Sequence, residues 1–134
     1  MECHSHFVKG MALQDLRKNP MMSHLLDALD RGEDIGHYGR LTFAMIARHF
    51  LPEEELCAWI AKNPGVSDTD ARVLCKQVEG HDYNPPRRER ILEWQQEQSF
   101  PICPEPNGCN VYRDLKFPEH VYAHIQEFYE NQVK

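Results

Sequence analysis

Apolar residues recur along this chain at helical spacing nearly from end to end. Leu25, Leu26 and Leu29 share one helical face, and Gly32 closes that segment. Leu41, Ala44, Met45 and Ile46 give the stretch from Leu41 to Phe50 a wide apolar face, as expected of a central buried helix. Pro52 suits a first helical position, and Glu53 to Glu55 place carboxylates at the positive end of the next helix, whose stripe is Leu56, Trp59 and Ile60. Asn63-Pro64-Gly65 ends it. Ser67 followed by Asp70 reads as a capping box with aspartate in place of glutamate, ahead of the face formed by Ala71, Leu74, Cys75 and Val78. Gly80 closes that helix, and Asp82-Tyr83-Asn84-Pro85-Pro86 makes a loop, because a proline restricts the residue before it. A short helix from Arg87 to Gln96 carries Ile91, Leu92 and Trp94. Residues 98–115, with Pro101, Pro104, Pro106 and Gly108, are the least regular part. Pro118 then opens a last helix with the stripe Val121, Ile125, Phe128 and Tyr129. No stretch alternates like a half-buried strand. The pattern predicts an all-α domain of about six helices, spanning residues 19–134 after an N-terminal extension of residues 1–18.

Composition supports a folded single domain. A chain of 134 residues with 41% apolar residues can bury a core without staples. The net charge of −6 argues against a broad polyanion-binding surface but leaves room for a local basic site. No run approaches the roughly 18 apolar residues that mark a membrane span. The N-terminal stretch has no apolar secretion core, so the expected compartment is the cytoplasm, where thiols stay reduced. Five cysteines (Cys3, Cys57, Cys75, Cys103 and Cys109) are then not expected to form a disulfide framework.

Candidate chemistry gathers at two basic places. His37 and Arg40 fall where the central helix should begin, and unpaired N–H groups at a helix start favour a phosphate. The plain alternative is a polar loop. Arg87, Arg88 and Arg90 sit at the start of a helix, where cations oppose the helix dipole, which suggests an anionic partner, with a solvated helix start as the plain alternative. Tyr83 offers a face on which an unpaired base can stack, or else packs on the core. Lys76, beside the apolar face of its helix, is the remaining cation assigned to a nucleic-acid path, with simple exposure as its alternative. Cys103 and Cys109 flank the loop CPEPNGC, a place where metal ligands can converge, although their spacing is wider than a CxxC pair. Cys57 and Cys75 read as small core residues. No glycine-rich phosphate loop, HExxH or GxSxG occurs, and no nucleophile–base pair stands out, so the chain is not expected to be a self-contained enzyme.

Taken in order, RGEDIGHYGR, LTFAMIARHFL, PEEEL, KQVEG, DYNPP and CPEPNGC resemble the C-terminal domain of the large subunit of archaeal and eukaryotic DNA primases, from about Asn19 to about Pro118. The resemblance implies a noncatalytic helical domain that binds the initiating nucleoside 5′-triphosphate and the primer–template or RNA–DNA end, beside a separate catalytic primase or polymerase subunit. His37 and Arg40 match the phosphate-contacting histidine and arginine of that family, whereas a further basic position just before the histidine matches Gly36. The family holds a 4Fe–4S cluster with four cysteines. Two of these match Cys103 and Cys109, but the others fall near Met21 and at Arg88, neither of which is a thiol. The expectation is therefore no cofactor, with Met21 filling part of the vacated space. In size and in that departure the chain resembles the small accessory subunits of archaeal primases. Two alternatives stay open. One is a protein-interaction module that kept the fold and lost its chemistry; the other is a cluster or zinc protein using Cys103, Cys109 and two further ligands.

Overall fold

Asn19 shows how local chemistry starts the fold. Its side-chain oxygen accepts the Met22 N–H at 3.0 Å, Pro20 occupies the first helical position, and α2 (Pro20–Asp30) follows. The helix ends in a Schellman arrangement. Gly32, at φ +73°, turns the chain so that its own N–H reaches Leu29 and the Glu33 N–H reaches Ala28. Met21, Met22, Leu25, Leu26, Ala28 and Leu29 are buried along α2. Each fully buried methionine contributes roughly 2 kcal/mol of transfer free energy.

The computed structural model describes residues 9–123. Within them α1 (Lys9–Leu16) precedes α2, and its Ala12 and Leu16 join the same core. The central helix is α3 (Gly36–Ala47), which buries Phe43, Ala44, Ile46 and Ala47 and packs against α2, α4, α5 and α6. α4 (Glu53–Ile60) and α5 (Asp68–Gly80) lie against each other. The predicted capping box is present: Ser67 Oγ accepts the Asp70 N–H at 3.0 Å, and Asp70 accepts the Ser67 N–H at 3.2 Å. α6 (Arg88–Gln95) follows the double proline. A 3₁₀ turn (Pro106–Gly108) and the short α7 (Val111–Asp114) then order part of the stretch expected to be irregular.

Every described element is helical, so the all-α class holds, with seven α-helices and one 3₁₀ turn through Asp114 and a further helical stretch after it. Pro52 caps α4 from outside instead of entering it. The turn after α5 uses Asp82, at φ +49°, while Gly80 stays inside the helix. Residues 119–123 are helical again, and Val121 is buried as expected. Ile125, Phe128 and Tyr129 lie outside the described residues, as does Cys3.

Candidate phosphate and nucleic-acid site

The segment before α3 is held from two sides by side chains distant in sequence. Asn63, buried after α4, accepts the Ile35 N–H at 2.8 Å and donates to Asp34 at 3.1 Å. Gln98, after α6, accepts the Tyr38 N–H at 2.9 Å and donates to the carbonyls of Ile35 (2.8 Å) and Phe100 (3.1 Å). Gly36 sits between these clamps at φ +81°, a conformation that favours glycine. A Cβ there would stand 2.5 Å from Gln98 Oε1. The space of the basic side chain expected from the primase resemblance is thus taken by the Gln98 amide.

This arrangement corrects the picture of a helix start with open N–H groups. Asp34 accepts the Gly36 N–H at 2.9 Å, and Gln98 takes that of Tyr38. The Arg40 guanidinium also reaches Asp34, at 3.3 Å. Asp34 therefore already supplies a negative charge at the position proposed for phosphate. Its carboxyl is held below the usual range, first by the Gly36 N–H, then by the Asn63 amide, with Arg40 adding to the effect. His37 is exposed, and its ring meets the edge of Tyr38 at 5.1 Å.

Tyr38 ties this segment to α6. Its ring stacks on Trp94 at 5.5 Å and 15°, and the Arg90 guanidinium lies 6.0 Å above the Trp94 ring. A depression of about 450 Å³ beside it is lined by Pro86, Arg87, Glu89, Arg90 and Glu93. Arg87 is the N-cap of α6, and Arg88 opens the helix, half-buried. Tyr38, whose ring also meets His37, is thus joined through Trp94 to Arg90, and Arg90 shares its depression with Arg87.

Two of the predicted nucleic-acid residues are engaged elsewhere. Lys76 pairs with Glu53 of α4 at 3.2 Å, and no ion pair or hydrogen bond joins it to α3 or α6 among the described residues. Tyr83 is half-buried against the core and stacks on His81 at 5.1 Å, while Arg48 donates to its carbonyl at 2.9 Å and to Asp82 at 2.7 Å. Beside Arg48, burial is the main cause that drives the His49 imidazole down to about 4.

The segments around Asn19, Pro85, Gln95 and residues 103–114 converge. Asn19 donates to the Gly108 carbonyl at 3.2 Å and to Asp114 at 2.9 Å. The Cys103 N–H donates to Gln95 of α6 at 2.7 Å, and Tyr112 Oη donates to the Pro85 carbonyl. Met21 is fully buried beside Asn19. Cys103 and Cys109, however, are joined in a disulfide, contrary to the expectation of reduced thiols. A disulfide sulfur is not a thiolate ligand, and neither Met21 nor Arg88 supplies one. The residues present therefore do not fit a 4Fe–4S cluster. Among the described residues no three His, Cys, Asp or Glu side chains are grouped to hold a metal ion, and no helix is long and apolar enough to cross a membrane. Asp34, Asn63, Gln98 and Trp94 all shape the site; the sequence marks Asp34 only within the segment 31–40, Asn63 only as part of a helix-ending turn and Trp94 only as part of an apolar stripe, and gives Gln98 no signal.

What fold and site define together is a small all-α domain with a clamped, arginine-flanked helix start. No family model, curated protein or solved structure matches the chain.

Proposed function

We propose that this domain binds the phosphorylated end of an oligonucleotide on the face shared by the start of α3 and α6, assisting a separate primase or polymerase subunit. The observation that carries this reading is the Tyr38–Trp94 stack, which couples the His37/Arg40 segment to Arg90 and, through the depression Arg90 lines, to Arg87. The ordered resemblance to the primase large-subunit domain supplies the partner: a catalytic subunit, with a nucleoside triphosphate or primer–template end as ligand. In this reading His37 and Arg40 contact phosphate, Arg87 and Arg88 guide the adjoining strand, and Asp34 acts as an internal competitor that phosphate must displace from Arg40. Lys76 and Tyr83 have at most a peripheral part.

The test is a titration with one RNA sequence bearing either a 5′-triphosphate or a 5′-hydroxyl, at fixed moderate salt. The triphosphate form is expected to bind more tightly, with a margin that narrows as salt rises. Equal affinities would contradict the reading. Asp34→Asn is expected to tighten triphosphate binding several-fold, because asparagine can still accept the Gly36 N–H while its charge no longer competes for Arg40. Unchanged or weaker binding would count against the competitor role.

The protein-interaction alternative draws on the same Asp34 contact, since a self-satisfied arginine needs no anion. It predicts no nucleic-acid binding even at low salt, together with co-purification of a protein partner.

A further inference from the structure

Cys57 and Cys75 are not separate core residues. Cys57, on α4, points its Sγ at that of Cys75, on α5, and the two sulfurs are 2.9 Å apart with both thiols free. That separation is less than an ångström beyond the bond length of a disulfide, about 2.05 Å. The environments of the two thiols differ. Cys75 is fully buried. Cys57 is half-exposed and lines a depression of about 290 Å³ with Glu54, Ala58, Asp68 and Arg72.

We infer that Cys57 and Cys75 form a thiol–disulfide couple that takes a small disulfide of the glutathione type as oxidant and closes into a cross-link between α4 and α5. Access sets the order of events. Cys57, after losing its proton to solvent, attacks one sulfur of the small disulfide; that S–S bond breaks, and one small thiolate leaves and takes up a proton. Cys75 then loses its proton and attacks the Cys57 sulfur, expelling the second small thiol. Two protein thiols are thereby oxidised by two electrons, and one small disulfide is reduced to two thiols. Burial and the adjacent Cys57 push the Cys75 thiol up, which disfavours it as the first nucleophile. Its role as resolving thiol rests on contact, since the sulfur it attacks is already beside it. This couple is distinct from Cys103–Cys109, which closes a loop within one segment, whereas Cys57 and Cys75 bridge two helices.

The test treats the folded full chain with oxidised glutathione, blocks remaining thiols by alkylation and maps peptides by mass spectrometry. The wild type is expected to yield a Cys57–Cys75 linked peptide lighter by two hydrogens, and a melting temperature above that of the form reduced at this pair. Cys75→Ser is expected to stall with one glutathione on Cys57. Cys57→Ser is expected to leave Cys75 free of glutathione. Should Cys75→Ser not fold, Cys75→Ala serves the same arm, and the wild-type cross-link decides without either. The inference is overturned if both thiols of the wild type stay alkylatable without a cross-link. It is equally overturned if Cys57→Ser takes up glutathione on Cys75 at the wild-type rate of modification.

Discussion

Replacing Asn19 with alanine is expected to destabilise the domain by about 2–4 kcal/mol. Asn19 is fully buried and does three things at once. Its oxygen caps α2 through the Met22 N–H, and its amide reaches both the Gly108 carbonyl and Asp114. Loss of the cap alone costs about 1 kcal/mol. Stranding a buried carbonyl adds about 1–3 kcal/mol. The amide bonds also fasten the Cys103–Cys109 loop to the core, so the same change should speed hydrogen exchange through residues 103–114. Asn19→Asp is expected to fare little better, because it keeps the acceptor but loses the donors and sets a second carboxylate beside Asp114. Urea denaturation measures both variants; a loss below about 0.5 kcal/mol for Asn19→Ala would show that water or neighbouring groups replace these bonds.

Gly36→Ala is expected to cost somewhat more, about 4–5 kcal/mol, for a different reason. The position is left-handed, at φ +81°, and the added Cβ would collide with the Gln98 amide, 2.5–2.6 Å away. The Gln98 side chain could swing aside only by giving up the Tyr38 N–H and the Ile35 and Phe100 carbonyls. The cost therefore divides into backbone strain, about 1–2 kcal/mol, and broken hydrogen bonds, about 1 kcal/mol each. A double-mutant cycle separates them: in a Gln98→Ala background the hydrogen bonds are already gone, and Gly36→Ala should cost only the strain. Full additivity of the two changes would contradict the proposed collision.

The helices from α2 to α6 are legible because they rest on neighbours in sequence, whereas α1, in the stretch read as an N-terminal extension, and α7, in the stretch read as irregular, are not. The face of Leu25, Leu26 and Leu29, the Ser67–Asp70 box and the glutamates at the start of α4 all act within one or two turns. The candidate site was legible only in part. His37 and Arg40 stand where a helix was expected to begin, but the groups that complete or block the site come from far away. Asn63 lies 28 residues after Ile35, and Gln98 lies 60 residues after Tyr38. The Asn63-Pro64-Gly65 turn marks Asn63 only as a helix end, and nothing marks Gln98, since the role of a single buried amide is specified by what folds around it. The same holds for the contact of Cys57 with Cys75. Each looked like an apolar helical residue, and only the packing of α4 on α5 brings the sulfurs together. The cysteines of CPEPNGC stand out as a pair, but residue spacing does not distinguish a metal loop from a disulfide.

Phosphate recognition by the start of α3 is the central claim, and the double variant His37→Ala/Arg40→Ala tests it most directly. Both side chains reach solvent, and the Arg40–Asp34 pair that is lost is the kind worth at most about 1 kcal/mol, so the variant should fold. Two charge-assisted contacts to phosphate, at about 1.5–3 kcal/mol for a typical one, predict at least about tenfold weaker binding. The measurement is the affinity of wild type and variant for one 5′-triphosphate oligonucleotide at the same moderate salt, with the 5′-hydroxyl form as control. A tenfold or greater loss confined to the triphosphate form is the predicted result. Unchanged affinity of a folded double variant would contradict the claim.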